Sequence, residues 1–403
     1  MRRVVVTGIG AVSPLGHEAA SYVAGLNDGR SGMGPPTIRG AEKLSTRVVA
    51  EVKGFDPGRH FSDRQLTALD RVSQFAVVAG GEAIAQSGLS FENGLGERTA
   101  AIIGTGVGGQ NTHDDNFHRV YAEGASRVHP LTIPKLMVNA PASQVSMHFG
   151  LRGPSFAVAS ACASATHAIG LAFHMLRAGL IDCAVTGGAE ACITFGTLRG
   201  WEAMRVMASD TCRPFSRERK GMVLGEGAAL FVLEPLEDAR ARGAEILGEI
   251  VGFGMSADAK DITAPDQGGM SRAIVGALKD AKLDPEEVDY VNAHGTGTLA
   301  NDATETAALK LSFGEHAYKL AVSSTKSMVG HPLGAAGALE LVAALNAAQT
   351  GIVPPTIGYL AADPDCDLDY VPNEARQMPV RAALSNSFAF GGLNAVLAVR
   401  RFD

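Results

Sequence analysis

Ten short runs rich in β-branched and small apolar residues punctuate the chain, and segments of helical period lie between several of them. The runs are 3-RVVVTG, 99-TAAIIGT, 154-PSFAVAS, 182-DCAVTGG and 229-ALFVLE, then 246-ILGEIVGFG, 288-VDYVNA, 320-LAVSS, 381-RAALSNS and 395-AVLAVR. The segments 64-RQLTALDRVSQFAVVAGGEAIAQSG and 334-GAAGALELVAALNAAQTG carry apolar stripes and stop at glycine, as helices do. Strands that recur between helices bury both elements only by stacking in layers, so the alternation predicts an α/β fold. With 403 residues and 46% hydrophobic content, the chain suffices for one large core or for two or three domains.

No proline-rich or charged linker divides the chain. The best candidate boundary falls at 243–247, which gives halves of residues 1–245 and 246–403. Strand-then-glycine units on both sides, 100-AIIGTGVGG and 384-LSNSFAFGG, raise the expectation of internal duplication.

Charge excludes some functions. A net charge of -7 gives no general attraction to nucleic acid or to an anionic membrane. The longest uncharged stretch, Gly153 to Leu176, is full of Ser, Thr, His, Ala and Gly, and reads as a strand plus a buried helix, not a membrane span. Five cysteines without a CxxC pair, and a strand-like run already under way at Val4, point to a reducing cytoplasm.

Three segments carry chemistry. In 159-ASACASATHAIG, Phe156 to Ser160 reads as a buried strand and Ala163 to Arg177 as a helix, which puts Cys162 on the turn between them. A helix N-terminus offers free N–H groups and a positive dipole end, both of which favour a thiolate and an adjacent oxyanion. His167 is five residues on, about 500° around a helix, and reads as packing. In 288-VDYVNAHGTGT a strand ends at His294, and in 320-LAVSSTKSMVGH a strand enters a polar loop holding Lys326 and His331. Strand ends of α/β sheets collect sites, so a Cys-His-His set is plausible. Residues 104-GTGVGG match a dinucleotide fingerprint, but no apolar helix and no acidic ribose ligand follow, so the match is set aside. His113, Asp114, Asp115 and His118 read as a solvated loop, not a metal centre.

Taken together, SACASA, NAHGTGT, SSTKSMVGH, GAAGALE and NSFAFGGLNA resemble the motifs of the β-ketoacyl-acyl carrier protein synthases, the elongating type II branch of the thiolase superfamily. The resemblance spans the whole chain. It implies a thiolase fold: two duplicated halves in a five-layer αβαβα core, usually a homodimer. It implies decarboxylative condensation of an acyl group with malonyl-acyl carrier protein, extending a fatty acyl or polyketide-like chain by two carbons. Cys162 is then the nucleophile, and His294 and His331 serve decarboxylation and condensation. Lys326 and Glu340 hold the histidines, and Phe390 is the gate whose N–H joins that of Cys162 in the oxyanion hole. By the same resemblance Thr296 and Thr298 bind the phosphopantetheine arm, Thr263 sits in a mobile loop at the mouth, Val107 lies on the floor of the acyl tunnel, and Trp201 and Phe388 contact substrate. Arg64, Arg71, Arg127, Lys135 and Arg205 are candidates for docking the acidic carrier protein. No metal, flavin or nicotinamide is implied, because the substrates ride on the carrier's phosphopantetheine.

Within the family, 198-LRGWEAMRVMASDTCRPFS and 363-DPDCDLD look most like the branch that contains nodulation protein E, which makes specialised unsaturated chains. A type II polyketide ketosynthase is a further alternative. Ala389 stands where housekeeping enzymes have glycine, which is expected to stiffen the Phe390 gate. A chain-length-factor subunit, which binds without catalysing, lacks the cysteine that is present here. A biosynthetic thiolase would use a second cysteine as base, and none of Cys183, Cys192, Cys212 or Cys366 sits in a suitable loop.

Overall fold

The computed structural model describes residues 1–92 and 94–402. Each of the ten runs forms a strand, and the ten join one sheet. The first half contributes β1 (Val4–Val12), β2 (Thr99–Gly104), β3 (Ser155–Val158), β4 (Cys183–Glu190) and β5 (Gly227–Pro235). The second contributes β6 (Gly248–Ala257), β7 (Tyr290–Asn292), β8 (Ala321–Ser323), β11 (Ala382–Ala389) and β12 (Leu393–Arg400), while β9 (Ile352–Val353) and β10 (Arg376–Gln377) form a separate small ladder.

The order β3-β2-β4-β5-β1-β6-β12-β11-β7-β8 reads the same from either end once β6 is matched to β1. In both halves the first strand pairs antiparallel with the last, the last antiparallel with the fourth, and the remaining two pairings are parallel. The halves join where Val4, Val5 and Val6 of β1 pair with Ile250, Glu249 and Gly248 of β6. Duplication is therefore real, but the two units that suggested it do not correspond. The counterpart of 100-AIIGTGVGG is β7 with its loop, 290-YVNAHGTGT, whereas 384-LSNSFAFGG belongs to β11, whose counterpart is β4.

Helices Arg71–Ser87 and Gln267–Ala281 cover the outer faces of the two halves, and helices Ser164–Arg177 and Ala336–Thr350 lie between them, completing five layers. The inner pair approach closely at Gly337, where a Cβ would stand 1.9 Å from Thr166 Oγ1. Among the described residues no helix is long and apolar enough to cross a membrane.

Three local expectations need correction. The long helix expected from Arg64 is broken at Asp70, whose carboxylate accepts N–H bonds from Val72 (3.0 Å) and Thr112 (2.7 Å) and so starts a new helix. β3 is not buried: it is an outermost strand, with Ser155 and Phe156 exposed, because its outer edge has no neighbour among the described residues. The polar stretch with His113, Asp114, Asp115 and His118 is a helix, Gln110–Tyr121, with Asp114 tied to Arg39 and to Gly196 N–H.

Candidate active site

Cys162 lies four residues past the end of β3, in a turn that continues directly into the inner helix at Ser164. Ala161 is left-handed, φ +49°, an uncommon conformation for a residue with a Cβ. Ser164 Oγ clamps the turn by accepting from Ser160 N–H (2.9 Å) and donating to Ala161 O (2.7 Å). Cys162 is 7% exposed. Burial pushes its pKa up to about 12, against the opposing pull of the Lys326 charge and a hydrogen bond from Phe390 N–H. The helix-terminus argument for a resting thiolate is thus outweighed by desolvation, and the sulfur rests as a thiol.

His167 does not join it. Its Nδ1 contacts Ser160 Oγ (2.8 Å) and Ala163 O (3.1 Å), and its ring meets Phe253 edge-on, so it braces the turn from the far side.

The histidines come from the other half. His294 follows β7, and its N–H and that of Gly295 both donate to Glu305 at 2.8 Å. Gly295 has φ +36° and a Cβ there would stand 2.6 Å from Ser324, so this bend accepts only glycine. His331 is held by its backbone, donating to Val223 O (2.7 Å) and accepting from Gly225 N–H (3.0 Å). The two rings are 5.2 Å apart and nearly perpendicular. One donor atom each from Cys162, His294 and His331 falls within 4.8 Å of the others.

Both imidazoles are fully buried, and desolvation, reinforced by the Lys326 charge, lowers their pKa values well below 6.5, so both are neutral at physiological pH. Lys326 Nζ donates to His294 O (2.5 Å), approaches His294 Nδ1 (3.3 Å) and pairs with Glu340. With Lys326 as donor to Nδ1, the His294 ring proton sits on Nε2. Neither ring nitrogen of His331 has a hydrogen-bond partner among the described residues.

A cavity of about 420 Å³ opens onto Cys162, His294 and His331. Thr263, Thr296, Thr298, Phe388, Phe390 and Trp201 line it as well. Trp201 and Phe390 stack, with ring centroids 6.0 Å apart. Val107 is absent from this wall. Its N–H is drawn to Glu190 (3.3 Å), which also accepts from Gly106 (2.6 Å) and Gly334 (2.9 Å), so the GTGVGG loop wraps a buried carboxylate and has no phosphate cradle to offer.

Arg71 also leaves its expected place. Its guanidinium is committed to Glu226 (2.7 Å) and stacked on Phe75, unlike Arg64, Arg127 and Arg205, which are exposed, and Lys135, which is half-buried.

Several functional neighbours were not foreseen. Glu305 anchors the His294 loop, and burial raises its carboxyl to about 7 despite the N–H bonds it accepts. Its signal was available: Asp302, Glu305, Thr306, Leu309 and Phe313 share one buried helical stripe, an unusual place for two acids. Asp258 and Asn394 line the cavity and bond each other (2.6 Å), and Gly391 N–H donates to Ile262 O (2.8 Å), which ties the loop holding Thr263 to the turn holding Phe390. No spacing in the sequence marks these contacts.

Residues 1–239 match the family profile described as beta-ketoacyl synthase, N-terminal domain, and residues 247–360 match beta-ketoacyl synthase, C-terminal domain. Nodulation protein E of Rhizobium sp. (strain N33) is 49% identical over 400 residues, 99% of this chain and 99% of that protein. The 3-oxoacyl-[acyl-carrier-protein] synthase 2 of Synechocystis sp. is 43% identical over 410 residues, 100% of this chain and 99% of that protein. Among solved structures, the ishigamide ketosynthase/chain length factor superposes with a TM-score of 0.96 at 37% identity, covering 100% of both chains.

Proposed function

Because the chain belongs to the β-ketoacyl synthase family, we propose that Cys162, His294 and His331 carry out its decarboxylative condensation. It is an acyltransferase that extends an acyl chain by two carbons. The observation that carries the residue assignment is the convergence of a thiol from one half and two neutral imidazoles from the other on one buried cavity.

In the first step Cys162 Sγ attacks the thioester carbonyl of an acyl carrier protein. The oxyanion is met by the N–H groups of Cys162 and Phe390, the pantetheine C–S bond breaks, and the thiol proton leaves with the carrier thiol. In the second, a malonyl thioester places its carbonyl oxygen between His294 and His331. Neutral donors stabilise the forming enolate without the cost of a further buried cation beside Lys326. The bond to the carboxylate breaks, CO₂ departs, and the enolate carbon attacks the acyl carbon. The acyl–sulfur bond breaks, and Cys162 recovers a proton from solvent. The Thr296 and Thr298 hydroxyls, 2.9 Å apart, are placed to bond the pantetheine amides. Arg205 sits between Met204 and Val206, both on the cavity wall, which supports carrier docking at this mouth with Arg64, Arg127 and Lys135 farther out.

The exposed edge of β3 supports a homodimer, as does a half-exposed stripe, His167, Leu171, His174 and Met175, on the adjacent inner helix. The two thiolase-like halves are assigned to 1–245 and 246–403, although Asp403 lies outside the described residues, and the site of action is the cytoplasm. A specialised acyl substrate is favoured by the Trp201–Phe390 stack on the cavity wall beside Ala389. Acyl-carrier substrates of graded length and unsaturation test it, and a housekeeping profile would sink the specialised reading.

The assignment itself is tested with acyl- and malonyl-carrier proteins together. The product expected is a 3-oxoacyl carrier two carbons longer, with acyl transfer retained and condensation lost in His331→Ala and His294→Ala. Condensation that survives both substitutions would refute the histidine roles.

A further inference from the structure

The Cys162, His294 and His331 cluster is the one group of three such side chains, among the described residues, whose donor atoms lie close enough to share an ion. All three are buried: Cys162 is 7% exposed and each histidine 2%. They face a cavity that small solutes can enter. His331 lines it, and neither of its ring nitrogens has a hydrogen-bond partner among the described residues, an expensive arrangement for a buried imidazole.

We propose that these three residues form a reversible site for a thiophilic divalent cation of the zinc class, and that the bound ion holds the protein in an off state by masking the thiol. One thiolate and two neutral imidazoles are a donor set suited to zinc, with a fourth position left open, as in sites that exchange their ligands. Tetrahedral zinc with ordinary bond lengths needs donor atoms about 3.4–3.6 Å apart. The donor atoms, all within 4.8 Å of one another, have to close toward that spacing when the ion binds.

Binding is an acid–base exchange without redox change. The Cys162 S–H proton leaves to solvent as the metal–sulfur bond forms, and each imidazole gives a lone pair. His294 moves its ring proton from Nε2 to Nδ1, while Lys326 keeps its bonds to His294 O and Glu340. The Lys326 ammonium opposes the cation, and Glu340 and the new thiolate offset it, so the site is exchangeable and does not become a closed structural centre. The metal site rests on the cluster's geometry alone, whereas the off state rests on the assignment of Cys162 as the nucleophile.

Cobalt(II) titrated into the whole protein is the probe. Tetrahedral d–d bands and a sulfur-to-cobalt charge-transfer band are expected at one ion per chain, the latter lost in Cys162→Ser. His331→Ala is expected to weaken binding at least tenfold, and Lys326→Met to tighten it. In the unmodified protein, zinc is expected to protect Cys162 from iodoacetamide, with alkylation restored by EDTA, a readout that needs no variant to fold. A charge-transfer band that survives in Cys162→Ser, or a thiol alkylated at full speed under saturating zinc, would overturn the site.

Discussion

Helices Ser164–Arg177 and Ala336–Thr350 hold equivalent places in the two halves, yet they meet different surroundings. Every residue from Ala336 to Ala348 of the second is buried, including Glu340. The first is open along one side, at His167, Leu171, His174 and Met175, and begins at the turn that presents Cys162. Duplication supplied one scaffold twice, and the chemistry was then divided between the copies. The proposed nucleophile, Cys162, sits where a strained turn opens onto a cavity. The charged pair is almost wholly buried, so that solvent screens its field on the histidines little.

The buried side is expected to be the less tolerant. Lys326→Met leaves the Glu340 carboxylate unpaired in a site where both partners are at most 3% exposed, a change that costs roughly 3–5 kcal/mol of stability. Denaturant unfolding measures it, and a loss under about 1 kcal/mol would erase the contrast between the helices.

Next in size is a difference in histidine titration. Burial lowers His294 and His331 well below 6.5, while His167 and His174 on the open helix are lowered to a lesser degree. A depressed histidine pKa means that the neutral form persists as pH falls and protonation comes late. Ring NMR signals of His294 and His331, assigned through single-residue variants, should stay flat from pH 8 to below 6.5, with His167 and His174 moving before them. An inflection of either active-site ring at 6.5 or above would remove the neutral-donor account of the enolate step.

The smallest effect belongs to His167→Ala. It removes the 2.8 Å contact with Ser160 at a cost of about 1 kcal/mol, and acyl transfer to Cys162 should persist within a few-fold. Complete loss of the acyl adduct in a folded variant would place His167 in the chemistry and blur the division between the halves.

Much of this was legible beforehand because it is local. All ten sheet strands show in runs of β-branched and small apolar residues, and His294 shows as a residue just past a strand end, whereas His331 stands beyond the short helix Lys326–Val329 that follows β8. What stayed hidden depends on tertiary neighbours. That β3 is an edge strand is a fact of sheet order, which its own residues do not encode. The helix Gln110–Tyr121 lacks an apolar stripe because it lies at the surface, where periodicity has no core to answer to. Lys326 and Glu340 were placed through family likeness, since nothing in a lysine followed fourteen residues later by a glutamate announces a buried pair. Arg71 shows the reverse error: a charge that looked free is spent on Glu226, a partner 155 residues away.

The central claim is that the acyl group passes through Cys162. Intact-mass analysis after mixing the protein with acyl-carrier protein tests it most directly. One acyl adduct per chain, mapped to Cys162 and absent in Cys162→Ala, is the expected result. An adduct on another residue, or none with any chain length from a folded protein, would contradict it.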